Sequence, residues 1–339
     1  MGKAFKVLTG CLIVIMFMGC VSTVCAQEKW GFINTSGEEV VSLKYDTVTD
    51  FEDGFAAVEL NGKWGFIDKT GQEVVSVKYD SVGTEDVCFS EGFAAVKIDD
   101  KYGFVNKNGS LVIAAKYDSV KDFKEGLAGV ELNGLWGFID TTGREVIPLE
   151  YGFAEDFQDG FSAVEKETLW GFIDKAGNKV VPLKYENAWS FTEGLAAVEL
   201  NGQWGFINTA GKFVVPLRYD DVNNFYEGLA VVELDGKYGL VDTTGKDVVS
   251  AKYSSINNFA GGFAAVELNE KWGFIDKTGK VAVTIKYYSV EDFHEGLASV
   301  ELNGKYGFIN NADEQVVPVE YDYAYSFSNG MAAVFLNDK

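Results

Sequence analysis

The sequence has little of the chemistry on which most enzymes and metalloproteins depend. It contains one histidine and four cysteines among 339 residues, and three of those cysteines lie within the first 26 residues. In residues 27–339 the single thiol is Cys88, which excludes a disulfide within that stretch. Typical zinc sites need several Cys or His ligands, and one histidine permits few nucleophilic triads. We therefore predict no catalytic residue and no metal site.

Positive charge is also scarce. Lys and Arg number 29 against 51 Asp and Glu, which gives a formal net charge of −22. Such a surface repels nucleic acid and anionic membranes rather than binding them. The glycines follow a regular turn pattern and not the G-x-G-x-x-G of a nucleotide-binding loop. We therefore expect neither a nucleic-acid partner nor a cofactor.

What the chain has in abundance is a repeated pair, an aromatic residue followed by glycine. Seven of the eight intervals between these pairs are 34 residues, and one is 38. A fixed period in this range marks a repeat architecture of nine copies. We number each copy from its aromatic residue as position 1. The pairs that form this structural repeat motif are Trp30-Gly31, Trp64-Gly65, Tyr102-Gly103, Trp136-Gly137, Trp170-Gly171, Trp204-Gly205, Tyr238-Gly239, Trp272-Gly273 and Tyr306-Gly307.

Each copy predicts three antiparallel strands. In one copy, residues 195–200 and 203–208 alternate around Asn201-Gly202, the strongest short signal for a hairpin with a type I′ turn. Asp or Asn at position 5 and Gly at position 8 predict a type I turn into the third strand, residues 180–185 in the preceding copy. All four prolines fall at position 13, which predicts that the third strand lies at a sheet edge.

The linker between copies has the form Tyr-Asp-x-Val-x-x-Phe-x-Glu-Gly. Its last glycine occurs in every copy, which predicts a backbone position with positive φ. Strict alternation along the strands places apolar residues on both faces of each sheet, with positions 1 and 3 on one face and positions 4 and 12 on the other. It also places the position 1 ring opposite position 13. A sheet that is apolar on both faces must be covered on both sides, so we predict face-to-face stacking of the sheets.

Two architectures fit this all-β array of tandem three-stranded units. A closed, β-propeller-like ring is favoured because the first and last copies lack polar caps, and because residues 331–336 could pair with residues 29–34 to complete a ninth hairpin. An open β-superhelix is the alternative, because nine copies exceed the usual number of propeller blades. The Asn-Gly turns and the alternation exclude helical repeats.

The repeat unit resembles that of the WG-repeat family of bacterial proteins, whose units run roughly K-W-G-F-I-D-x-x-G-x-x-V-I-P-x-K-Y-D. The resemblance covers Trp30 to Lys339, with Tyr in place of Trp at positions 102, 238 and 306 and Asp313 in place of a turn glycine. It implies a bacterial origin and a repeat scaffold. It implies no particular activity.

Four further features invite a functional interpretation. Acidic residues recur at positions 5, 24 and 30; turn formation and solvation explain them better than calcium binding, which needs several oxygens in one loop. His294 falls at a linker position that varies between copies, which indicates solvent exposure. Cys88, in the one lengthened linker, is interpreted as an unreactive thiol, with a redox or intermolecular role as the alternative. Trp189 is the one Trp outside position 1 and the best candidate for exposure.

Residues 1–26 have the features of a signal peptide and residues 27–339 form one array of nine copies. Lys3 and Lys6 precede an apolar run too short for a transmembrane span, and Val24-Cys25-Ala26 suits a signal peptidase. The leading functional hypothesis is an exported or envelope-associated, non-enzymatic scaffold that binds a protein or glycan. The alternatives are a glycan-processing enzyme and a purely architectural envelope protein.

We expect cleavage after Ala26 and export without a lipid. The alternative is a lipoprotein acylation site at Cys20, but Phe17 and Met18 match poorly the small and branched residues usual before such a cysteine. Mass spectrometry of the mature N-terminus measures this directly. A chain that begins with an acylated Cys20 would establish a lipid anchor and contradict the prediction.

Overall fold

The computed structural model describes the backbone of residues 4–6 and the whole of residues 29–84 and 88–337. Cys20, Ala26 and most of the predicted signal peptide lie outside the described residues. The described part consists of β-strands, turns and loops and contains no helix. The prediction of an all-β array of tandem antiparallel sheets is therefore confirmed.

The chain divides into two compact units, Met1–Glu167 with Ile173–Asn178, and Thr168–Phe172 with Lys179–Lys339. The repeat pattern continues through both. The strands up to the division are β1 (Ala4–Lys6), β2 (Trp30–Ile33), β3 (Glu39–Tyr45), β4 (Thr47–Val48), β5 (Phe55–Leu60), β6 (Lys63–Asp68), β7 (Glu73–Tyr79), β8 (Ser81–Val82), β9 (Phe93–Ile98), β10 (Lys101–Asn106), β11 (Leu111–Tyr117), β12 (Ser119–Val120), β13 (Leu127–Leu132), β14 (Leu135–Asp140), β15 (Glu145–Tyr151), β16 (Phe153–Ala154), β17 (Phe161–Lys166) and β18 (Leu169–Asp174). The strands after it are β19 (Lys179–Tyr185), β20 (Asn187–Ala188), β21 (Leu195–Leu200), β22 (Gln203–Asn208), β23 (Phe213–Tyr219), β24 (Asp221–Val222), β25 (Leu229–Leu234), β26 (Lys237–Asp242), β27 (Asp247–Tyr253), β28 (Ser255–Ile256), β29 (Phe263–Leu268), β30 (Lys271–Asp276), β31 (Val281–Tyr287), β32 (Ser289–Val290), β33 (Leu297–Leu302), β34 (Lys305–Asn310), β35 (Gln315–Tyr321), β36 (Tyr323–Ala324) and β37 (Val334–Phe335).

The repeating unit is a sheet of four strands rather than the predicted three. The additional strand is a pair of linker residues: β20 pairs with β21, and the order of that sheet is β20-β21-β22-β23. The prediction missed it because two residues are too few to produce a recognisable alternation. The third predicted strand, here β23, does lie at the edge of its sheet, which agrees with the proline at position 13.

Each copy contains two hairpins, and both are closed by a tight two-residue turn of the same kind. Asn201 and Gly202 both have positive φ, at 54° and 68°, as a type I′ turn requires. Glu193 and Gly194 repeat this geometry in the linker, with φ of 52° and 76°. The predicted positive φ of the linker glycine is confirmed, and the turn there is a second two-residue hairpin, bridged by Thr192 and Leu195.

The position 2 glycine lies beneath the backbone of the third strand. A Cβ built on Gly137 would lie 2.6 Å from the Ile147 carbonyl oxygen. In eight copies the corresponding distance to the position 12 carbonyl is 2.3 to 2.6 Å, and in the ninth the nearest atom is the Pro318 oxygen at 2.7 Å. These distances are shorter than any side chain tolerates. The aromatic-Gly pair is therefore a packing requirement of the sheet.

This close approach coincides with a change of register that strict alternation could not predict. Trp136 pairs with Tyr151 at position 16, and Phe138 pairs with Ile147 at position 12, so the third strand carries extra residues between the two pairs. The predicted contact of the position 1 ring with position 13 is therefore wrong. The predicted assignment of positions 3 and 12 to opposite faces is wrong for the same reason.

Within each unit, consecutive sheets stack face to face. One cluster joins Trp204, Phe206 and Val215 of one sheet to Ala230 and Val241 of the next. Equivalent clusters join the sheets of the first unit and the remaining sheets of the second. The predicted burial of both faces is confirmed inside each unit.

The linker phenylalanine at position 22 closes each layer. Its ring contacts the position 3 ring of the same copy, for example Phe206 and Phe225 with centroids 4.7 Å apart. Phe66 and Phe89 make the same contact at 4.9 Å, although their linker is longer by four residues. The linker is therefore part of the core and not merely a connection.

Two sheets at the ends of the described chain are incomplete. β2 pairs with β1 and β3, and β37 pairs with β36. The predicted pairing of residues 331–336 with residues 29–34 is not among the pairings of the described residues. Val334 is 45% exposed, whereas its equivalents in other copies, such as Val58 and Val198, are fully buried.

We predict that Gly137→Ala destabilises the fold by about 2 kcal/mol, because the added methyl must displace strand backbone. The matched control is Gly129→Ala in the paired strand, where the new Cβ would meet only the Lys121 side chain, at 3.5 Å. Thermal unfolding of both variants measures the difference. Equal midpoints would show that the position 2 glycine is not sterically required.

Candidate functional site

The acidic residues of position 5 act within their own turns. The Asp140 carboxylate accepts hydrogen bonds from the Thr142 hydroxyl at 2.6 Å, from the Thr142 backbone N–H at 3.0 Å and from the Arg144 backbone N–H at 3.1 Å. The Thr142 hydroxyl contributes most to holding the pKa of Asp140 down, to about 2. The interpretation of this row as turn-forming is confirmed.

The acidic residues of position 24 connect neighbouring copies. Glu193 accepts a hydrogen bond from the Gly228 backbone N–H of the next copy at 2.9 Å. Three further pairs, Glu91 with Gly126, Glu125 with Gly160, and Glu295 with Gly330, repeat this contact with the same separation of 35 residues. The row is thus a ladder between turns, which the sequence pattern did not predict.

A further acidic row, at position 17, was not predicted from the sequence. Asp118 accepts a hydrogen bond from the Asn133 backbone N–H of the following hairpin turn at 2.7 Å and pairs with Lys101. Asp46 does the same with Asn61 at 2.7 Å and with Lys29. The Tyr-Asp dipeptide that ends the third strand in five of the nine copies was the available signal. Its partner is a backbone N–H, which leaves no trace in the sequence.

The position 1 aromatic rings belong to the core rather than to a ligand platform. Trp136 and Trp204 are 8% exposed, and the other seven rings are half-buried. Trp189, predicted to be the best candidate for exposure, is half-buried because its ring packs on Trp204 with centroids 5.2 Å apart.

The remaining candidates lie apart from one another. His294 is exposed in a linker turn, where its backbone N–H bonds the Leu297 carbonyl, as the variability of that position predicted. Cys88 is half-buried and forms no disulfide with the described residues. Across residues 29–84 and 88–337 there is no cluster of three or more His, Cys, Asp or Glu placed to hold a metal ion. The same described residues include no helix that could span a membrane.

Two concave surfaces of the described residues lie along the linkers and are lined chiefly by positions 18 to 24. In the first unit a groove of about 500 Å³ is lined by Tyr102, Trp136 and Phe153 together with linker residues of neighbouring copies. Lys121 lies at its wall, where its ammonium group is 4.8 Å from the Phe153 ring centroid and 2.9 Å from Glu155. Because Lys121 is already engaged in these contacts, this groove is less available to a ligand than the groove of the second unit, which is described next.

The second unit has a groove of about 650 Å³ formed by the linkers of three copies. Its lining includes the amides of Asn223, Asn224 and Asn258 and the ring of Tyr226, which is 60% exposed. The Thr192 hydroxyl at its wall is buried and has no hydrogen-bond partner among the described residues. We call this surface the amide groove. Sequence reasoning missed it, although Asn-Asn-Phe occurs in two consecutive linkers.

A family model described as "WG containing repeat" matches nine consecutive segments that cover almost all of residues 30–339. The segments are 30–64, 64–102, 102–136, 136–167, 170–204, 204–238, 238–272, 272–306 and 306–339. Their boundaries coincide with the aromatic-Gly pairs. The resemblance inferred from the sequence is confirmed.

The solved structures that are similar to this chain are similar only at low TM-scores and low sequence identity. One described as the eukaryotic initiation factor has a TM-score of 0.47 and 11% identity, over 90% of this chain and 93% of that one. The surface component PorZ of Porphyromonas gingivalis has a TM-score of 0.30 and 9% identity, over 90% and 49%. The extracellular domain of the two-component system BT3049 from B. thetaiotaomicron has a TM-score of 0.25 and 14% identity, over 85% and 48%. No curated protein sequence matches the chain. Similarities this low carry no assignment of activity.

Proposed function

The chain belongs to the WG containing repeat family, and from this premise we propose that it is an exported, non-enzymatic scaffold. Its linker surface binds a protein or glycan partner in the bacterial envelope or outside the cell. Export rests on the features of residues 1–26. Binding rests on the distribution of variable and constant residues around the repeated sheets.

One observation carries this proposal: the grooves occur where the copies differ. Phe occupies position 22 in all nine copies, if the four extra residues of the second copy are placed between Gly83 and Phe89, and it builds the core. Position 20, in contrast, differs in nearly every copy. The residues at position 20 are Thr49, Gly83, Lys121, Glu155, Trp189, Asn223, Asn257, Glu291 and Tyr325. A constant frame that presents varied side chains on one surface is how repeat proteins build binding sites.

The proposal predicts saturable binding of the labelled mature protein to envelopes of the organism that encodes it. Asn223→Arg, on the linker surface, should weaken that binding at least about tenfold, because it places a large charged group in a groove. Gln203→Arg is the matched control, an exposed amide on the hairpin turn of the same unit. Linear, non-saturable binding would indicate an architectural protein, and turnover of a glycan would indicate an enzyme.

We also propose that the array closes as a β-propeller does. The incomplete sheets are complementary: β36 and β37 correspond to the first two strands of a complete sheet, and β2 and β3 to the last two. In the described chain Trp30 pairs with Lys6 of β1, which takes the place of the second strand of a complete sheet, as Glu199 does opposite Trp204. Removal of residues 1–26 on export would release that edge.

Closure predicts that Lys29→Cys and Leu336→Cys crosslink within one mature chain carrying Cys88→Ser. The two positions correspond to Gln203 and Leu200, which are directly opposed across a hairpin. Leu200→Cys with Gln203→Cys serves as the positive control for oxidation. Non-reducing electrophoresis and mass spectrometry identify the product. An open superhelix would leave the terminal pair reduced while the control oxidises.

A further inference from the structure

We propose that the amide groove binds a neutral glycan chain, with Tyr226 as its stacking surface and Asn224 and Asn258 as its hydrogen-bonding groups. This inference rests on the proposed function and names the ligand class of one site. The groove lies wholly within the second unit. Its volume of about 650 Å³ is within the range of small-molecule and oligomer sites.

The polar groups of the groove are suited to hydroxyl groups. Asn224 and Asn258 are exposed, and their side-chain amides make no hydrogen bond to another described residue. An amide offers two donors and a carbonyl acceptor, so it can bond adjacent hydroxyls of a sugar ring with both ends. The Thr192 hydroxyl, buried at the wall of the groove, is a donor and acceptor with no hydrogen-bond partner among the described residues.

The apolar part of the groove is suited to the flat face of a pyranose. Tyr226 is 60% exposed as a residue, although its neighbours Phe225 and Leu229 are buried. An aromatic ring carries negative charge on its face and attracts the positively polarised C–H groups of a sugar. Phe259, half-buried in the next linker, extends the same surface by one copy.

The charge of the groove favours a neutral ligand over an ion. Positions 20 and 21 carry no ionisable residue in three successive copies, whose pairs are Trp189-Ser190, Asn223-Asn224 and Asn257-Asn258. Four of the other six copies carry an aspartate at position 21, namely Asp50, Asp122, Asp156 and Asp292. In a chain of net charge −22, an uncharged stretch of this length marks a surface of different chemistry.

The two acidic residues that flank the groove are already engaged. The Glu193 carboxylate accepts the Gly228 N–H at 2.9 Å. The Glu227 carboxylate forms an ion pair with Lys277, also at 2.9 Å. Neither side chain needs a cation or a basic peptide as a partner, which leaves the amides and the ring to define the ligand.

The test uses isothermal titration calorimetry of the mature chain with cellopentaose, xylopentaose and mannopentaose, and with pentagalacturonate as the anionic probe. We expect at least one neutral pentasaccharide to bind. Tyr226→Ala removes the stacking surface, and Asn224→Asp introduces a charge without changing the shape, so each should weaken binding at least about tenfold. The matched controls are Tyr288→Ala, at a tyrosine 53% exposed, and Gln203→Glu, an exposed amide on a hairpin turn. Circular dichroism checks that all variants fold.

Three results would overturn the inference: no neutral probe binds, pentagalacturonate binds in preference to the neutral probes, or both groove variants bind as tightly as the unaltered chain. Failure here is distinguishable from failure of the proposed function. If envelopes bind saturably and Asn223→Arg weakens that binding while no sugar binds, the scaffold function stands and the glycan assignment is wrong. If a sugar binds and only the control variants weaken it, the site lies elsewhere.

Discussion

The whole array depends on the close approach of the third strand's backbone to the glycine that follows each position 1 aromatic. A methyl group at Gly205 would lie 2.6 Å from the Val215 oxygen, so the sheet can form only where that residue has no side chain. The approach accompanies extra residues in the third strand, which turn Tyr219 toward Trp204 and Val215 toward Phe206. These four side chains then form one apolar face, and that face contacts the next sheet.

Much of this fold follows from sequence because its determinants are local. The Asn201-Gly202 turn, the Asp140 turn and the edge strand with proline each depend on the conformational preference of one or two residues. The face assignment of Val215 failed because a change of register depends on contact between strands, and alternation within one strand carries no record of it. The short strand Asn187–Ala188 was missed because two residues have no period.

The candidate site was harder to predict than the fold. Sequence reasoning singled out aromatic residues, the histidine, the cysteine and acidic rows, because those residues carry recognisable chemistry. Trp136 proved to be core, and the Glu193 carboxylate proved to bond a backbone N–H of the next copy. The amide groove brings together Thr192, Asn224 and Asn258 from three copies, and asparagine in a linker ordinarily signals no more than a turn. Only the stacking of the sheets shows that these residues share a surface.

At the glutamates that precede the linker glycines, the residue that best suits the backbone of one turn differs from the residue that best joins neighbouring copies. Glu193 has a φ of 52°, a conformation that asparagine or glycine adopts at lower cost. In other copies the same place is occupied by Asp53, whose side chain is shorter by one methylene, and by Gly261. Among the described residues, neither of them bonds the linker glycine of the next copy. In four copies the longer glutamate side chain reaches the linker glycine of the next copy, whereas Glu227 pairs with Lys277 instead. A change to asparagine would suit each turn better and would leave neighbouring copies less firmly joined, so a residue optimal for one copy in isolation is unsuited to the array.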